Sequence, residues 1–147
     1  MATSEKIICN ATEIQKLIPQ RSPMIMVNKL ISCCDGKTVS AFMVDKENIF
    51  CENGVFTEPG LIENIAQTAA AGVGYQLMLA HDADAEIPIG YIGAVKNLKI
   101  HFLPPVGHEI QTEVQIEHQV MNATIISGKI QSGNNLAVEC EMKIFLK

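Results

Sequence analysis

The sequence predicts an α+β fold in which one long apolar helix packs against a curved antiparallel sheet. One helical segment, roughly residues 58–80, carries almost no charged side chain after Glu63, so we expect it to be buried on nearly all sides. From Ile87 onward, apolar and polar residues alternate with a period of two, which is typical of antiparallel strands with one buried face. The chain has 147 residues, a length that suits one domain covering residues 1–147.

The first predicted element is a short helix over residues 11–17. Asn10 or Thr12 suits its N-cap, because either side chain can accept a hydrogen bond from a free backbone N–H of the first turn. Pro19 ends this helix, since proline has no N–H to donate to the preceding turn.

Two strands joined by a tight turn are predicted next. Residues 24–34 and 38–45 are rich in strand-forming side chains, and between them lies Asp35-Gly36, a favoured pair for two-residue hairpin turns. A loop that contains Asn53-Gly54 connects this hairpin to the long helix.

The long helix has a recognisable beginning and a predicted buried face. Pro59 suits its first turn, and the carboxylates of Glu58 and Glu63 suit the positive end of the helix dipole. Gly72 and Gly74 each cost about 1 kcal/mol in a helix interior relative to alanine, so we expect another part of the chain to approach the helix closely there. The predicted apolar face consists of Ile62, Ile65, Ala66, Ala69, Val73 and Leu77.

The last third of the chain predicts three sequential antiparallel strands. Residues 110–117, 123–131 and 136–146 each alternate between apolar and polar side chains, and a turn at residues 132–135 joins the second strand to the third. A single sheet of this size leaves edges and one face uncovered. We therefore expect two copies of the chain to pair as a homodimer or to assemble further.

Composition argues against several classes of partner and site. With 11 Lys and Arg against 16 Asp and Glu, the net charge is 11 − 16 = −5, which argues against nucleic acid as a partner. No apolar run reaches the roughly 20 residues of a membrane span, and residues 1–10 do not resemble a signal peptide, so we expect a cytoplasmic protein. Five cysteines and four histidines show none of the paired spacings of metal sites, so we expect reduced thiols, no metal and no cofactor.

Three motifs resemble those of one known family. Residues 17–27, LIPQRSPMIMV, resemble the motif LPHRxPxLLVD; residues 63–67, ENIAQ, resemble EAxAQ; and residues 92–107 are similar to GIdkvkFrrPVxPGD. Because the motifs occur in order and at suitable spacing over about residues 14–146, the chain resembles the 3-hydroxyacyl-[acyl-carrier-protein] dehydratases. The resemblance implies a hotdog fold, in which the sheet wraps around the central helix and two protomers pair.

The resemblance also implies a chemistry. In that family a histidine removes the proton next to the thioester carbonyl, and an acidic residue on the central helix of the other protomer handles the leaving hydroxyl. Backbone N–H groups at the helix start hold the thioester oxygen. Glu63 matches the family's acid and is the predicted catalytic residue. The predicted substrate-binding residues are Asn53, Gly60, Leu61 and Gln67, and the implied substrate is an acyl thioester on acyl carrier protein or coenzyme A, in fatty-acid-type or polyene-type synthesis.

The family's catalytic histidine has no counterpart in this sequence. Residues 1–80 contain no histidine, and Gln20 replaces the histidine of the first motif. His81 follows the long helix and suits its C-terminal carbonyls, while the strand phase of His101 points it toward solvent. His118 shares the dry phase of its strand but lies near the strand end. None of these is a convincing replacement.

Three functions therefore remain open. The first is a homodimeric dehydratase that acts on or binds an acyl thioester. The second is a hotdog thioesterase, in which one helix carboxylate activates water as a general base. The third is a catalytically incomplete subunit that binds acyl chains or pairs with a complete dehydratase, so that Glu63 completes a site whose histidine comes from the partner.

Overall fold

A six-stranded antiparallel sheet with one long helix packed against it dominates the structure, a computed structural model that describes residues 7–80, 87 and 89–146. The strand order is β1-β2-β6-β7-β8-β5, and β3 and β4 form a separate short hairpin. The architecture is the hotdog fold, which confirms the predicted fold class. In chain order the elements are α1 (Ala11–Ile14), β1 (Lys29–Cys34), β2 (Lys37–Met43), β3 (Cys51–Glu52), β4 (Val55–Phe56), α2 (Glu58–Leu79), β5 (Gly90–Ile100), β6 (Glu109–Val120), β7 (Ala123–Ser132) and β8 (Asn135–Leu146).

Most predicted elements are confirmed to within a few residues. β1 and β2 pair around Asp35 and Gly36, which both have positive φ, as the hairpin turn requires. The meander β6-β7-β8 is present, and α2 ends one residue before the predicted end. The predicted alternation from Ile87 begins three residues before β5; residue 88 of that stretch, and residues 81–86 before it, lie outside the described part of the chain.

The short helix α1 is shorter than predicted. It ends at Ile14 and continues only as a turn to Leu17. Its N-cap is Asn10, whose side chain accepts hydrogen bonds from the backbone N–H groups of Thr12 and Glu13, while the Glu13 side chain accepts from the Asn10 N–H. Because this reciprocal capping box satisfies free backbone N–H groups at the helix start, the helix can form although it has only 4 residues.

The prediction of a strand over residues 24–34 is wrong for its first five residues. The backbone of Met24 and Met26 is bonded to side chains of α2 instead of a neighbouring strand: Gln67 Oε1 accepts from the Met26 N–H at 2.7 Å. Asn64 Nδ2 donates to the Met26 carbonyl at 2.7 Å. Because these side chains satisfy the backbone groups, an apolar segment with strand-like composition stays outside the sheet.

Helix α2 turns a different face toward the sheet than the apolar pattern predicts. Ile65 of the predicted face is fully buried, but Ala66, Ala69 and Val73 are only half-buried. The fully buried face includes the polar residues Asn64 and Thr68. The pattern of apolar residues does not identify that face, since two of its members are polar.

Hydrogen bonds explain why this polar pair is tolerated in the core. Thr112 Oγ1 donates to Asn64 Oδ1 at 2.5 Å, and the hydroxyls of Ser40 and Thr68 lie 2.7 Å apart. Thr68 Oγ1 also donates to the Asn64 carbonyl at 2.8 Å. All four side chains are fully buried, so these bonds offset the cost of removing polar groups from water.

The helix also has exposed ends, so the prediction of burial on nearly all sides holds only for its middle. Met78 and Leu79 are 46% and 51% exposed. No helix in the described part of the chain is long and apolar enough to cross a membrane.

Gly72 and Gly74 of α2 lie where other parts of the chain approach, as predicted. A Cβ on Gly74 would overlap the backbone carbonyl oxygen of Leu17, and a Cβ on Gly72 would overlap the hydroxyl of Thr38. The neighbour of Gly74 is backbone, which cannot rotate away as a side chain can.

We therefore expect Gly74→Ala to destabilise the protein by about 1–3 kcal/mol, the usual cost of overpacking, despite alanine's better helix propensity. Urea unfolding measures the change. Met78→Ala, at an exposed position of the same helix, is the control and should change stability by less than about 0.5 kcal/mol. Equal or greater stability of Gly74→Ala would contradict the close packing.

Candidate active site

A mostly apolar groove runs between α2 and one end of the sheet. It holds about 650 Å³ of empty space, part of it open to solvent. We call it the site groove; it is lined by Pro19, Gln20, Glu63, Ala66, Ala69, Ala70, Val73, Gly90, Ile92, Ile116, Thr124, Ile126, Ile144 and Leu146. Glu63 is the one ionisable residue in this set of described residues. A groove of this shape and lining suits an acyl chain with a reactive group beside the carboxylate.

The Glu63 carboxylate is half-buried and held in place by its own helix. Gln67 Nε2 donates to Glu63 Oε1 at 2.8 Å, one turn further along α2. Among the residues that the structure describes, Gln67 alone donates to this carboxylate. One carboxylate oxygen therefore remains free to meet a substrate.

Gln67 is fully buried, and both its amide oxygen and its amide nitrogen form hydrogen bonds within the chain. Its Oε1 accepts from the Met26 N–H at 2.7 Å, and its Nε2 donates both to the Met24 carbonyl at 2.7 Å and to Glu63. An amide NH₂ has two hydrogens to donate, and both are engaged. The structure thus places Gln67 behind Glu63 as a positioning residue, and its predicted contact with substrate stays a prediction.

The other predicted substrate-binding residues are not among those that line the site groove. Asn53 is exposed and, with Gly54, forms the β3–β4 turn, where both residues have positive φ. Gly60 is buried beneath the ring of Phe56, and Leu61 is fully buried in the core. The Asn-Gly pair is itself a hairpin signal, so the sequence already contained the structural explanation for Asn53. A role for these residues in substrate binding stays a prediction.

Several groove residues have no distinguishing signal in the sequence. Ile92, Ile116 and Ile144 come from three different strands and look like ordinary core positions until the sheet brings them together at the groove. Gln20 also lines the groove, although the sequence distinguishes it only as a replacement in the first motif. Its Oε1 is buried and has no hydrogen-bond partner.

No described histidine lines the site groove. His101, His108 and His118 are all exposed. The predicted dry phase of His118 is wrong because a β-bulge between Ile116 and His118 shifts the register of β6 against β7. His81, predicted to interact with the C-terminal carbonyls of α2, lies outside the described residues.

The cysteines are free thiols, and two of them, Cys9 and Cys140, are buried. Burial, and to a smaller extent the nearby Glu141 carboxylate, raises the pKa of Cys140 to about 11. The pKa of Cys51 is also raised, first by burial and then by Asp45. These shifts keep the thiols protonated near neutral pH. Within the described ranges, no group of three or more His, Cys, Asp or Glu is arranged to hold a metal ion.

Comparison with known proteins agrees with the fold and with the resemblance in sequence. The ApeP-like family, described as ApeP dehydratase, matches residues 12–147. The 3-hydroxyacyl-[acyl-carrier-protein] dehydratase FabZ of Pasteurella multocida is 30% identical, over 95% of this chain and 92% of its own. The same enzyme from Actinobacillus pleuropneumoniae serotype 5b is 28% identical, over 94% of this chain and 91% of its own.

Solved structures share the fold at low identity. The dehydratase heterocomplex ApeI:P from Xenorhabdus doucetiae superposes with a TM-score of 0.82 at 15% identity, covering 91% of this chain and 90% of its own. A hypothetical thioesterase from Streptococcus pneumoniae with coenzyme A superposes with a TM-score of 0.62 at 12% identity, covering 80% of this chain and 84% of its own. The family match spans nearly the whole sequence, and the chain belongs to the ApeP-like dehydratase family.

Proposed function

We propose that the protein acts on 3-hydroxyacyl thioesters as part of a dehydratase, with the acyl chain in the site groove and Glu63 as the catalytic acid. The observation that carries this proposal is the single carboxylate in a mostly apolar groove, held by Gln67 at 2.8 Å. A carboxylic acid in such surroundings can exchange a proton with a substrate while the apolar walls exclude water.

The proposed reaction is the elimination of water from the acyl chain. A base removes a proton from the carbon next to the thioester carbonyl, and Glu63 gives its proton to the hydroxyl on the following carbon, which leaves as water. The electron pair of the broken C–H bond forms the new double bond. Negative charge develops on the thioester oxygen during this step, and backbone N–H groups at the start of α2 are the proposed donors to it. The side chain of Thr57 does not cap that end, and its hydroxyl donates to the Phe50 carbonyl at 2.5 Å.

The base is the missing member of this site. None of the described histidines lies in the groove, and the sequence has none before His81. We therefore favour a complex in which a related hotdog subunit supplies the histidine and this chain supplies Glu63. The similar ApeI:P structure is a dehydratase heterocomplex, which supports such an arrangement.

Strand β5 is the proposed surface for pairing, with a related subunit or with a second copy as predicted. It lies at the edge of the sheet, where its outer backbone groups have no neighbouring strand among the described elements. Tyr91, Ile92 and Leu98 on this strand are 52%, 40% and 38% exposed. Ile92 also lines the site groove, so a subunit paired along β5 would lie next to the groove.

The proposal also includes the carrier of the acyl chain and the cellular compartment in which the reaction takes place. The named activity of the FabZ relatives supports a substrate on acyl carrier protein, with coenzyme A as the other predicted carrier. The proposal places the protein in the cytoplasm, as the sequence predicts.

A thioesterase is the second candidate function. The lone groove carboxylate favours it, since one general base toward water is sufficient for thioester hydrolysis, whereas dehydration needs a second group.

One set of assays tests these functions. The purified protein, alone and mixed with a related hotdog subunit that carries the histidine, is incubated with 3-hydroxyacyl and saturated acyl thioesters. We expect loss of water from the 3-hydroxyacyl thioester in the mixture. Dehydration by the lone protein would support the homodimer instead, and release of free thiol without dehydration would replace the proposal by the thioesterase.

A further inference from the structure

The amide oxygen of Gln20 is a buried polar atom at the site groove that the proposed mechanism leaves unused. Its Oε1 is removed from solvent and has no hydrogen-bond partner. Buried acceptors in native proteins are nearly always paired, so an unpaired one requires an explanation. The position of Gln20 in the wall that also contains Glu63 indicates a ligand in the groove as the missing donor.

The backbone around Gln20 is fixed by its neighbour. Arg21 Nη1 donates to the Ile18 carbonyl at 2.9 Å and to the Gln20 carbonyl at 2.8 Å. Ile18 itself is fully buried. These contacts hold the segment at the groove wall, so Gln20 is presented to the groove by a backbone that is anchored on both sides.

We propose that Gln20 is a substrate-binding residue whose Oε1 accepts a hydrogen bond from the 3-hydroxyl of the acyl chain. This inference rests on the proposed function. A hydroxyl has one hydrogen to donate and two lone pairs to accept with, so it can donate to Gln20 while it accepts the proton of Glu63. As the bond from carbon to oxygen breaks, the departing water keeps its hydrogen bond to Gln20. Saturated and enoyl chains lack this donor and would leave Gln20 unpaired.

Removing the amide oxygen of Gln20 should therefore weaken the binding of a 3-hydroxyacyl analogue while it raises the stability of the unliganded protein. Gln20→Met keeps the length of the side chain but has no amide. We expect the Kd of a 3-hydroxyacyl-pantetheine amide to rise about threefold to tenfold, the effect of one neutral hydrogen bond. The Kd of the saturated acyl-pantetheine amide should stay unchanged. The urea midpoint of the unliganded protein should rise, because the variant no longer buries an unpaired polar atom.

Two further variants serve as controls. Gln20→His introduces the residue of the family motif, whose ring nitrogen can accept a hydrogen bond, and it should retain the preference for the 3-hydroxyacyl analogue. Gln15→Met, at an exposed position outside the groove, should change neither Kd nor the urea midpoint. Calorimetric titration of each variant with both analogues supplies the Kd values.

The outcomes distinguish this inference from the proposed function. Equal weakening of both analogues by Gln20→Met would place the contact on the pantetheine amides and overturn the assignment to the hydroxyl. Unchanged binding of both analogues would also overturn it. If neither analogue binds the unmodified protein, alone or with its partner subunit, the proposed function fails together with this inference.

Discussion

Glu63→Gln is expected to lower the rate of enoyl formation by about 10²–10⁴-fold, the usual contribution of a general acid or base. Glutamine has nearly the same size and can still accept the hydrogen bond that Gln67 Nε2 donates to Glu63 Oε1 at 2.8 Å. The amide cannot give up a proton at the pH of the reaction, so the loss falls on chemistry and leaves the fold intact. The rate is measured in the mixture with the histidine-carrying subunit, at saturating 3-hydroxyacyl thioester.

Glu58→Gln is the matched control for this variant. Glu58 lies on the first turn of the same helix, is exposed and does not line the site groove. Its replacement should leave the rate within about twofold, since only the dipole interaction at the helix start is lost. If Glu63→Gln retains the full rate, or if Glu58→Gln loses as much, Glu63 is not the catalytic acid.

Gln67→Leu should have the largest effect on stability of any single change at the site. Leucine leaves three partners without a hydrogen bond: the Met26 N–H, the Met24 carbonyl and the Glu63 carboxylate. An unpaired buried polar group costs about 1–3 kcal/mol, and partial exposure of Glu63 limits its share, so we expect a loss of about 3–5 kcal/mol. Urea unfolding measures this loss.

The same variant should also slow the reaction where the protein is still folded. Without Gln67 the carboxylate of Glu63 has no described donor to orient it, and the segment around Met24 and Met26 loses its attachment to α2. The expected signature is a lower kcat at saturating substrate. Gln76→Leu, at an exposed position of α2, should leave both stability and kcat nearly unchanged. If the Gln67→Leu variant is as stable as the unmodified protein, the hydrogen bonds of Gln67 do not contribute to its stability.

The order and type of the main elements could be predicted because local signals agree with the final fold. Alternation with a period of two identifies β6, β7 and β8, and the Asp35-Gly36 pair identifies the first hairpin. Pro59 marks the start of α2. Each signal depends on neighbouring residues alone, and in these elements the tertiary environment supports the local preference.

The failures occur where tertiary hydrogen bonds replace local preference. Residues 24–28 read as a strand, but Asn64 and Gln67 of α2 bond the backbone of Met24 and Met26 through contacts about 40 positions apart in the sequence. The buried face of α2 was misjudged for a related reason, because Asn64 and Thr68 are polar and yet lie in the core. The spacing of apolar residues cannot reveal a buried polar residue whose hydrogen-bond partners come from other elements.

The candidate site was predictable only in part. Glu63 was found through the ENIAQ motif, and the structure places it on the groove. The groove itself depends on Ile92, Ile116 and Ile144, whose side chains meet only after the sheet has formed. Gln20 is distinguished by a missing hydrogen-bond partner, a property that no sequence contains.

A crystal structure of Glu63→Gln protein, in complex with the partner subunit and a 3-hydroxyacyl-pantetheine amide, tests the account most directly. We expect the acyl chain along Ala66 and Ala69 in the site groove, with the 3-hydroxyl oxygen within about 3.2 Å of the side chain at position 63. An acyl chain bound at another surface, or a 3-hydroxyl turned away from position 63 with no hydrogen bond to it, would contradict the account.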